Sequence, residues 1–135
     1  MMDTQFVLTL NEEQAYTVKR ACELYARLHL GQLREVVDEL LAYQLDNDLA
    51  TRMNRIYAQT EELLLLLFPQ PLELPVEGQD GPVNTAWDIY QVLRHRMAWA
   101  RTPEGDDARA FEEPRRTGMH PLPECVAMKR EGADK

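Results

Sequence analysis

The stretch that decides the fold is Asn11-Glu-Glu-Gln-Ala-Tyr-Thr-Val-Lys-Arg-Ala-Cys-Glu-Leu-Tyr-Ala-Arg-Leu-His-Leu-Gly31. Ala15, Val18, Cys22, Tyr25 and His29 follow one another at intervals of three and four, and Ala21, Leu24 and Leu28 widen the stripe. An apolar face of that period predicts an amphipathic helix of about five turns. Asn11 reads as its N-cap, with Gln14 completing a capping box and Glu12 and Glu13 at the positive end of the helix dipole. Gly31 suits a left-handed stop, because a residue without Cβ adopts positive φ at little cost.

Working outward, the same period returns in Leu33, Val36, Val37, Leu40, Leu41 and Leu45 and fades in Asp46-Asn47-Asp48. A third helix is expected from Leu49 or Ala50, with Met53, Ile56, Tyr57, Leu63, Leu64 and Leu67 on one side, stopping at Pro69. Leu63 to Leu67 are apolar all round, which fits either a helix end buried between neighbours or a subunit interface. Residues 69–83 hold four prolines and two glycines and read as a loop, with an extended piece at Leu72–Val76. A fourth helix is expected with Thr85 as N-cap. It carries Ala86, Ile89, Tyr90, Leu93, Met97 and Ala100 inward and ends near Thr102-Pro103. Upstream, Phe6, Leu8 and Leu10 alternate as in a short strand or an extended arm.

The expected fold is therefore mainly α, an antiparallel bundle of about four helices with a short N-terminal strand or arm and an irregular C-terminal tail. Residues 1–103 form the helical domain, with its arm and its Pro-rich loop at 69–83. Residues 104–135 are a charged, partly ordered tail. In it Glu104–Asp107 is expected to be mobile, and Phe111 and Leu122 act as anchors of a strap docked on the bundle.

Composition agrees with a soluble globular chain. It has 135 residues, 44% hydrophobic and 28% charged, with a formal net charge of −8. No cationic cluster is present to neutralise a phosphate backbone, so nucleic acid is not an expected partner. The longest apolar run, Leu63–Phe68, falls far short of the roughly 20 residues that span a bilayer, so no membrane is expected either. Two distant cysteines, Cys22 and Cys125, make no disulfide framework, and the N-terminus lacks the pattern of a secretory signal. Both features point to the cytoplasm.

The densest polar and aromatic stretch is Trp87-Asp-Ile-Tyr-Gln-Val-Leu-Arg-His-Arg-Met-Ala-Trp99. On a helix Asp88, Gln91, His95 and Trp99 share one face, and Tyr90, Arg94 and Ala98 the adjoining strip. Tyr90, Arg94, His95 and Trp99 are thus candidate ligand-binding residues, able to stack a base and hold a phosphate. Solvated charges with an aromatic rim are the competing structural reading. Gln32 and Arg34, near the Gly31 turn, are second-rank candidates for an anion site with Arg27 and His29. No catalytic residue, cofactor or metal site is assigned, since the histidines and cysteines share no ligand spacing. The carboxylates Glu35, Asp38 and Glu39 resemble the acidic helices of all-α nucleotide pyrophosphohydrolases. They lack a convincing second motif at Glu61-Glu62.

Several of these segments together resemble a family of small, largely uncharacterised accessory proteins of tailed bacteriophages and prophages. The resemblance is carried by Leu8-Thr-Leu-Asn-Glu-Glu-Gln14, Glu23-Leu-Tyr-Ala-Arg-Leu28, Gly31-Gln32, Asp88-Ile-Tyr-Gln-Val-Leu-Arg-His95 with Ala98-Trp99, Phe111-Glu-Glu-Pro114 and Pro121-Leu-Pro123. It leaves residues 46–83 unmatched. It implies phage origin and action inside an infected bacterium, and brings no established activity. The expected function is non-enzymatic: a homo-oligomeric binding protein that counters host defence, by sequestering a nucleotide-like signal or by blocking a host defence protein. The alternative is a metal-dependent nucleotide hydrolase using Glu35, Asp38 and Glu39.

Overall fold

The computed structural model describes residues 4–44, 47–73, 77–79, 81–101, 117–118 and 120–128. The chain is mainly α, with helices α1 (Glu12–His29), α2 (Leu33–Leu41), α3 (Leu49–Leu67) and α4 (Pro82–Arg101). No strand occurs among the described residues. The N-terminal residues 4–10 are an extended arm with Phe6, Val7 and Leu8 exposed, so their alternation finds no ladder to join.

The capping box forms as the sequence requires: the Asn11 side chain accepts from the Gln14 amide at 2.8 Å, and the Asn11 amide donates to Gln14 Oε1 at 3.0 Å. At the other end of α1, Gly31 takes φ 74°. The Gly31 amide donates to the Leu28 carbonyl, and the Gln32 amide to that of Arg27, the paired bonds of a Schellman stop. This reversal lets α2 fold back along α1, where Arg20 of α1 reaches Glu39 of α2.

Two boundaries differ from the sequence expectation. α2 closes at Leu41, a turn earlier than its apolar period suggests, and Leu45 lies outside the described residues. α4 opens at Pro82 rather than after Thr85, so residues 82 and 83 of the expected loop are helical. Proline fits the first helical position because its missing N–H would have no partner there, and the Thr85 amide already donates to the Gly81 carbonyl.

Neighbouring helices run antiparallel in the order α4, α1, α2, α3. The most extensive contact is between α1 and α4, where Ala26, Val83 and Ala86 are buried, with Cys22, Leu30 and Trp87 packed around them. Alanines at that seam let the helix backbones approach closely. Among the helices, α3 packs on α2 alone, and its far end also closes over the α1–α2 turn. A Cβ built on Gly31 would lie 2.5 Å from Leu72 Cδ1 and 3.6 Å from Leu64 Cδ1 and Phe68 Cε2. Tyr57 ties α3 to α2: its hydroxyl donates to Asp38 Oδ1, and Arg34 stacks on its ring with Cζ 4.2 Å from the centroid.

The leucine-rich end of α3 remains uncovered. Leu65 and Leu66 are 71% and 80% exposed, Leu63 and Leu67 about half, and Leu40 of α2 is 66% exposed. By contrast, the buried apolar side chains among the described residues are mostly alanine and valine, with Leu41 the one leucine. No described helix is long and apolar enough to cross a membrane.

Candidate functional site

Helix α4 carries three faces with different surroundings. One meets α1. A second lines a groove of about 460 Å³ with the arm (Leu8, Leu10), the start of α1 (Ala15, Val18) and the segment 123–128; Val92, Arg96 and Met97 line it from α4. None of the six ligand-binding residues expected from the sequence lines this groove.

The third face holds Asn84, Asp88, Gln91, His95 and Trp99, as helical spacing demands. Asp88 is 5% exposed. Its Oδ1 accepts from the Thr117 amide at 2.6 Å and the Thr117 hydroxyl at 2.8 Å, and its Oδ2 from the Gly118 amide at 3.0 Å. The Thr117 hydroxyl also reaches the Asn84 carbonyl at 3.3 Å, and the Thr117 carbonyl accepts from the Gly78 amide at 2.8 Å. A buried carboxylate is tolerable when its lone pairs are used this fully, and here it clamps the returning chain onto α4. Two turns further along the helix, His95 is 5% exposed and stands 6.0 Å from the half-buried Trp99 ring.

Tyr90 and Arg94 lie on the adjoining strip. Arg94 Cζ sits 6.0 Å above the Tyr90 ring, and Tyr90 meets Trp87 edge-on at 5.4 Å. Arg27 of α1 also stands over the Trp87 indole, 5.6 Å from its centroid. Arg27 in turn donates to Gln32 Oε1 at 2.8 Å. Gln32 and the Tyr90–Arg94 pair, far apart in sequence, therefore end one continuous row: Gln32, Arg27, Trp87, Tyr90, Arg94. Arg34 is not part of it, being committed to Tyr57 on the α3 side. Arg27 is also held by Glu23 at 3.2 Å, whereas Arg94 has no carboxylate partner among the described residues. The sequence places Trp87 in the polar-aromatic stretch and Arg27 beside the Gly31 turn, and does not join them, because their meeting depends on how α1 and α4 cross.

Two of the three acidic residues of α2, Asp38 and Glu39, are occupied locally, and Glu35 is exposed. Glu39 Oε2 accepts from Arg20 Nη2 at 2.6 Å and Nε at 3.0 Å, which holds the Arg20 guanidinium above its ordinary pKa, and Asp38 accepts from Tyr57. No group of three or more His, Cys, Asp or Glu able to hold a metal ion is found among the described residues. Of the tail anchors, Leu122 is half-buried; Phe111 and Glu104–Asp107 lie outside the described residues. No family model, curated protein or solved structure matches the chain.

Proposed function

We propose that this protein is a non-enzymatic binding protein, an accessory factor of a bacteriophage or prophage that works in the cytoplasm of the bacterial host as a homo-oligomer. Its task is counter-defence, by sequestering a nucleotide-like signal. The observation that carries this reading is Arg94: a half-buried guanidinium over the Tyr90 ring, beside Trp87, with no carboxylate partner among the described residues. A partly desolvated cation next to aromatic rings favours an anionic, stackable ligand. His95 and Trp99 border the strip from the neighbouring face, and Gln32 ends it near the α1–α2 turn.

Blocking of a host defence protein is the second reading, and the exposed leucines of α3 favour it, since apolar patches of that extent mark interaction surfaces. The two separate in one experiment. Native mass spectrometry of the protein purified from phage-infected, defence-bearing cells should show a stoichiometric nucleotide. That nucleotide, titrated by calorimetry, should bind Arg94→Ala roughly tenfold to a hundredfold more weakly, the loss expected of one charge-assisted contact. A chain that emerges without nucleotide and with a host protein bound would overturn sequestration in favour of blocking.

A further inference from the structure

The face of α3 turned away from α2 has its own order. Arg52, Arg55, Gln59, Glu62 and Leu66 recur at intervals of three, four, three and four, and all five are exposed. The residues that face α2, such as Ile56, Tyr57, Thr60 and Leu64, are buried or half-buried on the opposite side. The outer stripe is polarised along its length: cationic in its first half, anionic and then apolar in its second. Arg55 and Glu62 are two helical turns apart, about 10.5 Å along the axis, too far to pair within one helix. Neither forms an ion pair among the described residues.

We propose that this stripe is a self-complementary interface, on which α3 of a second copy packs antiparallel about a two-fold axis near Ala58 and Gln59. In that arrangement Arg55 faces Glu62 of the partner subunit, and the symmetry makes the pair twice. The exposed Leu65 and Leu66 of each copy come to lie along the arginine half of the other, under the aliphatic stem of Arg52 and beside Thr51. A parallel arrangement sets Arg55 against its own copy and Glu62 against its own, so like charges exclude it. The second copy is the occupant because one helix carries both halves of the complement: the cationic end and the anionic, leucine-rich end that fits it. The 19 residues of α3 extend about 28 Å, a length suited to a two-helix contact.

This inference rests on the homo-oligomer part of the function proposed above, and the experiment separates the two. The full chain, measured by sedimentation equilibrium, should have twice its 15.7 kDa mass. Arg55→Glu and Glu62→Arg should each weaken the dimer by roughly tenfold or more, and the double variant Arg55→Glu/Glu62→Arg should regain most of the loss. Leu66→Glu should yield a monomer with unchanged far-ultraviolet circular dichroism. A monomeric wild-type chain overturns the oligomer and the interface together. A dimer indifferent to both charge reversals, or one the double variant fails to restore, overturns the interface alone.

Discussion

The Asp88 carboxylate and the Gly118 amide, thirty positions apart in the chain, meet at 3.0 Å, and the Thr117 amide and hydroxyl complete the contact from the neighbouring residue. A side chain on α4 thereby supplies the anchor for Thr117 and Gly118, which are not part of a helix or strand. The contact uses three donors on one buried anion, so its parts stand or fall together.

Asp88→Ala should lower stability by about 3 kcal/mol, since it removes a charge-assisted acceptor and leaves buried donors unsatisfied. Asp88→Asn should cost less, because the amide retains one acceptor oxygen. Chemical denaturation measures both. Hydrogen exchange at the Thr117 and Gly118 amides should quicken in either variant, well before global unfolding.

Gly118→Ala attacks the same contact from the other partner. A Cβ there would stand 2.7 Å from Asp88 Oδ2, and the carboxylate is held by Thr117 and cannot retreat freely. The expected outcome is release of the segment from α4 with the helices intact. It would be read as unchanged helical circular dichroism alongside faster exchange at Thr117.

Gly31→Ala should destabilise the fold by about 1–2 kcal/mol through its left-handed backbone alone. The new methyl must also displace Leu72, 2.5 Å away, so the end of α3 should loosen. Thermal unfolding reports the first effect, and protease sensitivity after Phe68 the second.

Glu39→Ala should cost about 1 kcal/mol, because the pair with Arg20 is partly buried and bridges two helices. The double variant with Arg20→Ala should cost less than the sum of the singles. Such coupling, measured by denaturation without any metal, would identify Glu39 as part of a helix-to-helix tie.

Both thiols should react slowly with an alkylating reagent near neutral pH. Burial pushes the Cys22 and Cys125 thiols above their ordinary value, so less thiolate is present at a given pH in the folded chain. The rate should rise with pH, with a midpoint above that of the unfolded chain. At Cys125 burial is partly opposed by Arg96, and denaturant should bring both thiols to the faster rate of the unfolded chain.

Much of the helical layout follows from local rules. The Asn11 capping box, the Gly31 stop and the end of α3 before Pro69 each depend on residues within a turn of one another, and all three occur where the spacing sets them. The start of α4 at Pro82 departs from the sequence expectation because Thr85 resembles an N-cap, while a proline among turn residues marks a loop as readily as a first helical turn. The common face of Asp88, Gln91, His95 and Trp99 was legible from period alone. What that face meets was not, since Thr117 and Gly118 carry no local mark of their role.

The sequence by itself thus determined four helices, both ends of α1 and the order of residues along each face, because hydrogen bonding and side-chain period act over three or four positions. Only the tertiary structure decided that Arg27 of α1 stands beside Trp87 of α4, that Asp88 holds the returning chain, and that the leucines ending α3 remain in solvent. Those outcomes depend on how one helix lies against another, and pairings across tens of residues leave no periodic trace in the chain.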